Sequence, residues 1–343
     1  MSRRELKKIL VVGPAWVGDM VLAQSLFKVL KQQFPEAIVD VLAPAWTEPV
    51  LARMPEVRHS HNLPCRHGEL KLVERYRIGR RLRDECYDWA IVLPNSFKAA
   101  LIPFWARIPR RTGYRGELRW GLLNDVRQLD KQLLPQTVQR FIGLGLSRGA
   151  TLPPSTPFPQ LQVITANLAT TLAALQLERP QQRVLALCPG AEYGPAKRWP
   201  VQYFAELARA KRAQGWWVWV FGSAHDKDIA SEICAQAGEG CVDLSGRTTL
   251  GQAIDLLSLA DIVVSNDSGM MHVAAALGRK LVALYGSSDP NVTPPLGSDV
   301  RIVWLQLACS PCFKRECPLT HLNCLNEIKP ERVLAEITQL LPS

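Results

Sequence analysis

The residues best suited to chemistry sit in polar turns that directly follow apolar runs. Asp19 ends the turn Gly13-Pro-Ala-Trp-Val-Gly18-Asp19, after the run from Lys7 to Val12. The two glycines have the spacing of a phosphate-binding P-loop, but Asp19 and Met20 replace the Lys and Ser or Thr such a loop needs. A carboxylate there repels phosphate, so the turn is not a nucleotide-hydrolase loop. It suits a general base instead, with the helix start favouring the ionised form, and helix capping is the competing role. Asp267, Ser268 and Gly269 form a second such turn, between the run Ile262 to Val264 and a helix over Met270 to Leu277. Free N–H groups and the dipole at that helix start make an anion site. A third turn, 188–198, is glycine-rich and ends in Lys197-Arg198. Its backbone at Gly190 can approach a ligand closely while Lys197 holds phosphate oxygens. Gly222 and Ser223 supply another close-approach turn.

Two clusters stand outside these turns. Arg107 to Arg119 carries five arginines against one glutamate, among Gly, Pro and Tyr. It reads as a loop in which Arg110, Arg111 and Arg115 grip carboxylate or phosphate groups, with a solvated surface as the alternative. Cys309, Cys312, Cys317 and Cys324 are spaced C-x2-C-x4-C-x6-C. One CxxC knuckle with irregular later spacings leaves a structural zinc site open but favours plain thiols.

The elements that must position these turns alternate strand and helix. Strands are expected at 7–12, 37–42, 89–93, 184–187, 217–221, 242–244, 262–264 and 281–284, with helices at 20–33, 70–83, 201–214, 250–260, 270–277 and 330–341. Such a series builds parallel sheets with right-handed crossovers. Pro153, Pro154, Pro157 and Pro159 mark the junction of two α/β domains, 1–165 and 180–343, facing a central cleft, with the last helix free to return to the first domain.

At 343 residues the chain suits two domains, and 47% apolar with 21% charged residues describes a globular protein. The first residues imitate a signal peptide, but Pro14 and Asp19 break the apolar run. Nine cysteines, an odd number, argue against a disulfide framework, and a cytoplasmic location is expected. The net charge of +10 favours an acidic partner; no nucleic-acid motif accompanies it, so nucleic acid is not expected. The absence of G-x-G-x-x-G at 13–18 disfavours a nicotinamide dehydrogenase. A non-catalytic nucleotide-sugar binder would have no need of Asp19.

The motifs Gly13-Pro-Ala-Trp-Val-Gly-Asp19, Pro94-Asn-Ser-Phe-Lys98, Thr112-Gly-Tyr-Arg-Gly-Glu117, Pro189-Gly-Ala-Glu-Tyr-Gly-Pro-Ala-Lys-Arg-Trp199 and Asn266-Asp-Ser-Gly-Met-Met-His272 together resemble glycosyltransferase family 9, the ADP-heptose:lipopolysaccharide heptosyltransferases. The resemblance runs nearly the length of the chain and is strongest to the type II branch. It implies a GT-B fold of two Rossmann-like domains, and inverting transfer of heptose from ADP-heptose to the first heptose of the inner core. A type I or III acceptor is the alternative. It further implies Asp19 as base and Lys197 on the ADP phosphates. Asp267, Ser268, Gly269 and His272 would lie at the diphosphate and sugar, Asp226 at the ribose and Thr248 in the nucleotide pocket. Asn95, Ser96 and Lys98 would face the acceptor. No cofactor and no catalytic metal are implied. The basic charge would suit Kdo carboxylates and lipid A phosphates on the cytoplasmic face of the inner membrane.

Overall fold

A computed structural model describes residues 6–65 and 68–341. The chain divides between Pro159 and Gln160 into two units, each built on one six-stranded parallel sheet. In the N-terminal unit the strands are β1 (Lys8–Val12), β2 (Ile38–Ala43), β3 (His59–Asn62), β4 (Trp89–Val92), β5 (Arg110–Tyr114) and β6 (Asp125–Arg127). Their order across the sheet is β3-β2-β1-β4-β5-β6. The C-terminal unit repeats the plan with β7 (Val184–Cys188), β8 (Trp217–Val220), β9 (Cys241–Asp243), β10 (Ile262–Asn266), β11 (Lys280–Tyr285) and β12 (Val300–Trp304), ordered β12-β11-β10-β7-β8-β9. Both are doubly wound Rossmann-like sheets, as the alternating pattern leads one to expect.

The central strands are the legible ones. β1, β4, β7 and β10 are buried along almost their whole length, so they read as unbroken apolar runs. β1 pairs with β4 from Ile9 opposite Trp89, and β10 pairs with β7 from Ile262 opposite Leu185. Of the edge strands only β9 falls on an expected strand, 242–244; β3, β6 and β12 carry no apolar run that points to them. β3 is His-Ser-His-Asn, exposed or half-buried throughout, and β12 is exposed at Arg301 and Ile302.

One domain boundary falls earlier than expected. Residues 160–165 belong with the C-terminal unit: the Leu161 N–H donates to the Ala276 carbonyl (2.9 Å) and the Ile164 N–H to the Asp255 carboxylate (3.1 Å). The last helix, Pro330–Leu340, contributes to the core of its own unit. Val333 and Ile337 are wholly buried in the same cluster as Leu185, Phe204 and Val264. Among the described residues no helix is long and apolar enough to cross a membrane.

Candidate active site

Each sheet reverses its strand order next to its first strand, between β1 and β4 and between β7 and β10. Open parallel sheets bind ligands outside the carboxyl ends of their strands at this reversal. Asp19 lies beyond the end of β1, and Asn95, Ser96 and Lys98 beyond the end of β4. Gly190 and Lys197 lie beyond β7, and Asp267, Ser268 and Gly269 at and beyond the end of β10. Within each unit the fold therefore places these residues at its own switch point.

In the N-terminal unit Asp19 occupies the first turn of the helix Val17–Gln33, half-buried. Gly13 lets that turn lie close to the sheet, since a Cβ there would stand 2.8 Å from Met20 Cε and 3.1 Å from Val41 Cγ1. Asn95 is exposed, and Ser96 and Lys98 are half-buried at the start of the helix Phe97–Trp105. The Phe97 N–H donates to the Glu117 carboxylate at 2.6 Å, which ties this helix start to the loop after β5. Arg119 completes the tie. Only 3% exposed, it donates to the Pro94 carbonyl (2.8 Å), the Tyr114 carbonyl and the Asn95 side-chain oxygen. It shapes this edge, yet in the sequence it is one more member of an arginine run.

That run is not one loop. Arg110 and Arg111 open strand β5, at the end opposite to the ligand edge, and both are committed within the unit. The Arg110 guanidinium lies 4.0 Å from the centre of the Trp89 ring and 3.1 Å from the Asp125 carboxylate. Arg111 donates to the carbonyls of Leu122 (2.6 Å) and Ile108 (2.5 Å). Burial pushes the Asp125 carboxyl up, but hydrogen bonds from Arg127, Thr112 and Arg148 outweigh this and hold it well below the usual carboxylate range. Of the three arginines expected to grip anions, only Arg115 stands at the ligand edge, exposed and 5.8 Å from the centre of the Trp120 ring. Arg110→Ala should accordingly lower stability by about 1–2 kcal/mol, from a half-exposed ion pair and a cation–π contact. The acceptor KM should stay unchanged, and denaturant unfolding beside steady-state kinetics checks both.

In the C-terminal unit the polar side chains converge. Lys197 Nζ stands 2.5 Å from Asp267 Oδ2, and that oxygen also accepts from the Ser288 hydroxyl. Asp267 is 6% exposed. Ser268 takes the N-cap position of the helix Gly269–Ala276 without a side-chain cap, which leaves the first-turn N–H groups without intrahelical partners. Asn266, fully buried at the end of β10, locks the Lys197 turn in place. It accepts from the Trp199 N–H (3.1 Å) and donates to the Pro189 carbonyl (2.6 Å). Ser288 has no place in the sequence reading, and Asn266 enters it only within the Asn266–His272 motif, with no role assigned. The only available signal was a small polar residue at the carboxyl end of a buried strand.

His272 lies one turn into the same helix, 5% exposed, and its Nδ1 has no hydrogen-bond partner among the described residues. Burial is the main cause of a pKa lowered to about 4, opposed by Asp267 and assisted by Lys197. An unfolded His binds its proton near pH 6.5, so between about 6.5 and 4 the unfolded chain binds more protons and stability falls as pH falls. Unfolding free energy measured across that window should drop for the wild type, and His272→Gln should flatten the slope.

Asp226 is mostly occupied with its own turn. Its Oδ2 accepts from the Ser223 N–H (2.9 Å) and hydroxyl (2.8 Å), and Oδ1 lies 3.8 Å from Arg198. A Cβ at Gly190 would stand 2.7 Å from this carboxylate, and one at Gly222 2.8 Å from the Asp226 Cβ. Both glycines thus make room for Asp226. Thr248 is half-buried ahead of Thr249, which caps the helix Leu250–Leu257.

The family profile for glycosyltransferase family 9 (heptosyltransferase) matches residues 75–323. The chain belongs to this family. It is therefore a glycosyltransferase, and its paired Rossmann-like units are those of the GT-B class. It is 47% identical to lipopolysaccharide heptosyltransferase 2 of Escherichia coli K12, covering 97% of this chain and 98% of that one. It is 45% identical to lipooligosaccharide heptosyltransferase 2 of Haemophilus ducreyi, covering 97% and 99%. The solved structure of the E. coli ADP-heptose lps heptosyltransferase II superposes with a TM-score of 0.86 at 45% identity, over 97% of this chain and 98% of that one.

Proposed function

We propose that this protein transfers heptose from ADP-heptose to the first heptose of the lipopolysaccharide inner core, with inversion at the anomeric carbon. The observation that carries the reading is the division of chemistry between the switch points: a carboxylate on a glycine turn in one unit, and a lysine with a helix start in the other. Asp19 removes the proton from the attacking acceptor hydroxyl. As the glycosidic bond to ADP breaks, negative charge grows on the diphosphate, where Lys197 and the N–H groups at the start of Gly269–Ala276 meet it. The N-terminal unit then serves the acceptor through Asn95, Ser96, Lys98 and Arg115. The C-terminal unit serves the donor, with Asp226 and Thr248 on the nucleoside side. The charge of +10 supports docking on an anionic membrane face from the cytoplasm.

The deciding experiment supplies ADP-heptose with defined truncated lipopolysaccharides and reads the products by mass spectrometry. The acceptor that already bears one heptose should gain a second, and the acceptor bearing Kdo alone should stay unchanged. Reaction only on the Kdo-terminated acceptor would move the chain to type I activity.

A further inference from the structure

Two thiols of the C-terminal unit, seven positions apart in the chain, are in contact. Cys234 lies in the last turn of the helix Lys227–Ala237, and Cys241 opens strand β9. Gly238 and Gly240 turn the chain back between them, with left-handed φ angles of 80° and 83° that favour glycine. The Gly238 N–H donates to the Cys234 carbonyl (3.0 Å), and the Cys241 N–H to the Gly238 carbonyl (3.3 Å). This return leaves the two sulfurs 2.8 Å apart, both half-buried and neither in a disulfide. The Arg212 guanidinium packs over the turn. Its Nε donates to the Glu239 carbonyl (2.7 Å), and a Cβ at Gly240 would collide with it.

We propose that Cys234 and Cys241 form a reversible thiol–disulfide site, which small-molecule disulfides of the glutathione class oxidise to an intrachain cross-link. Bonded sulfurs stand about 2.05 Å apart, so closure asks the pair to approach by less than about 1 Å. The hydrogen bond with Cys234 is the main cause holding the Cys241 thiol well above its usual range. Burial adds to it, and Arg212 opposes it. Cys241 therefore keeps its proton in the resting pair, and exchange begins at Cys234. The Cys234 thiolate attacks one sulfur of the small disulfide, giving a mixed disulfide and releasing one small thiolate. Capping Cys234 removes the hydrogen bond that held the Cys241 proton, and Arg212 then favours the Cys241 thiolate. That thiolate attacks the Cys234 sulfur, closes the protein disulfide and expels the second small thiolate. The two small thiolates take up the two cysteine protons, and the two electrons lost by the cysteines reduce the small disulfide.

The cross-link falls at the border of its sheet. β9 ends the strand order beside β8, and each of its three residues is only half-buried. A hydrogen bond from the Ser231 hydroxyl to the Asp243 carboxylate (3.2 Å) already links the same helix to the same strand. Cys241 stands at the amino end of β9, whereas the turns at the ligand edge follow the carboxyl ends of the strands. Oxidation therefore straps helix to strand without entering the candidate site. A pair of this kind rests as thiols in a glutathione-reduced compartment and closes when the small disulfide accumulates.

The test treats the full chain with oxidised glutathione, at a dose that modifies the exposed Cys86, and blocks the remaining thiols. Non-reducing mass spectrometry then maps the disulfides. A Cys234–Cys241 disulfide is expected in the wild type, reversed by dithiothreitol. The oxidised chain should melt a few degrees above the reduced one, since the cross-link restricts the unfolded ensemble. Cys241→Ser should retain one glutathionyl group on Cys234 and lose the rise in melting temperature. Cys234→Ser should carry about tenfold less glutathione on Cys241. A wild-type map without the 234–241 disulfide, or with either cysteine joined to a different one, overturns the proposal. A melting temperature unmoved by oxidation overturns the strap, and equal glutathione on the two serine variants overturns Cys234 as the attacking sulfur. The wild-type map decides the disulfide even where a serine variant fails to fold.

Discussion

Asp19→Asn is expected to lower turnover by about 10²–10⁴-fold, some 3–5 kcal/mol of barrier, with ADP affinity unchanged. The argument is positional. Asp19 sits in the first turn of the helix that leaves β1, beside the β1/β4 reversal, in a glycine turn whose geometry would suit an anion were the carboxylate not there. A negative group at a helix start is favourable whether it acts as a cap or as a base, so stability cannot separate the two roles. Asparagine can. It keeps the shape and much of the capping ability but cannot accept a proton from a hydroxyl. Near-normal turnover by Asp19→Asn, beside a loss of melting temperature in Asp19→Ala, would assign Asp19 to capping. Steady-state ADP release, calorimetric ADP binding and thermal unfolding on the same two variants settle it.

What the sequence disclosed and what it hid follow one physical rule. Strands buried on both faces must be apolar on both faces, so β1, β4, β7, β10 and β11 are legible as runs. The turns after them are legible because a glycine or a capping residue must stand where a strand gives way to a helix. β5 was hidden because its polar side chains find partners inside the unit. Arg110 lies over Trp89, and the Thr112 hydroxyl accepts from Trp89 Nε1 (2.7 Å) and donates to Asp125 (2.8 Å). A sequence shows that Arg110 and Arg111 are charged; it does not show that Asp125 and the carbonyls of Leu122 and Ile108 are waiting for them. The same blindness covers Arg119, Asn266 and Ser288, whose importance lies in partners many residues away.

Lys197→Ala is expected to weaken ADP binding by about 10–100-fold, the equivalent of ~1.5–3 kcal/mol for a lost charge-assisted contact. The pairing with Asp267 makes the prediction sharper than a simple loss of charge. Lys197 Nζ stands 2.5 Å from Asp267 Oδ2, with side-chain exposures of 18% and 7%. Removing the ammonium strands a nearly buried carboxylate next to the helix start that is to receive a diphosphate. The single variant therefore loses an attraction and gains a repulsion, and it also loses folding stability, since breaking a buried pair leaves an uncompensated charge. Adding Asp267→Asn removes the stranded charge and leaves the helix N–H groups and Ser288 in place. The double variant should bind ADP more tightly, and melt at a higher temperature, than Lys197→Ala alone. ADP affinity left unchanged when Asp267→Asn is added to Lys197→Ala would show that Asp267 does not face the diphosphate. In that event the Lys197–Asp267 pair is a structural brace, and the anion site of this unit lies elsewhere along the carboxyl edge of its sheet.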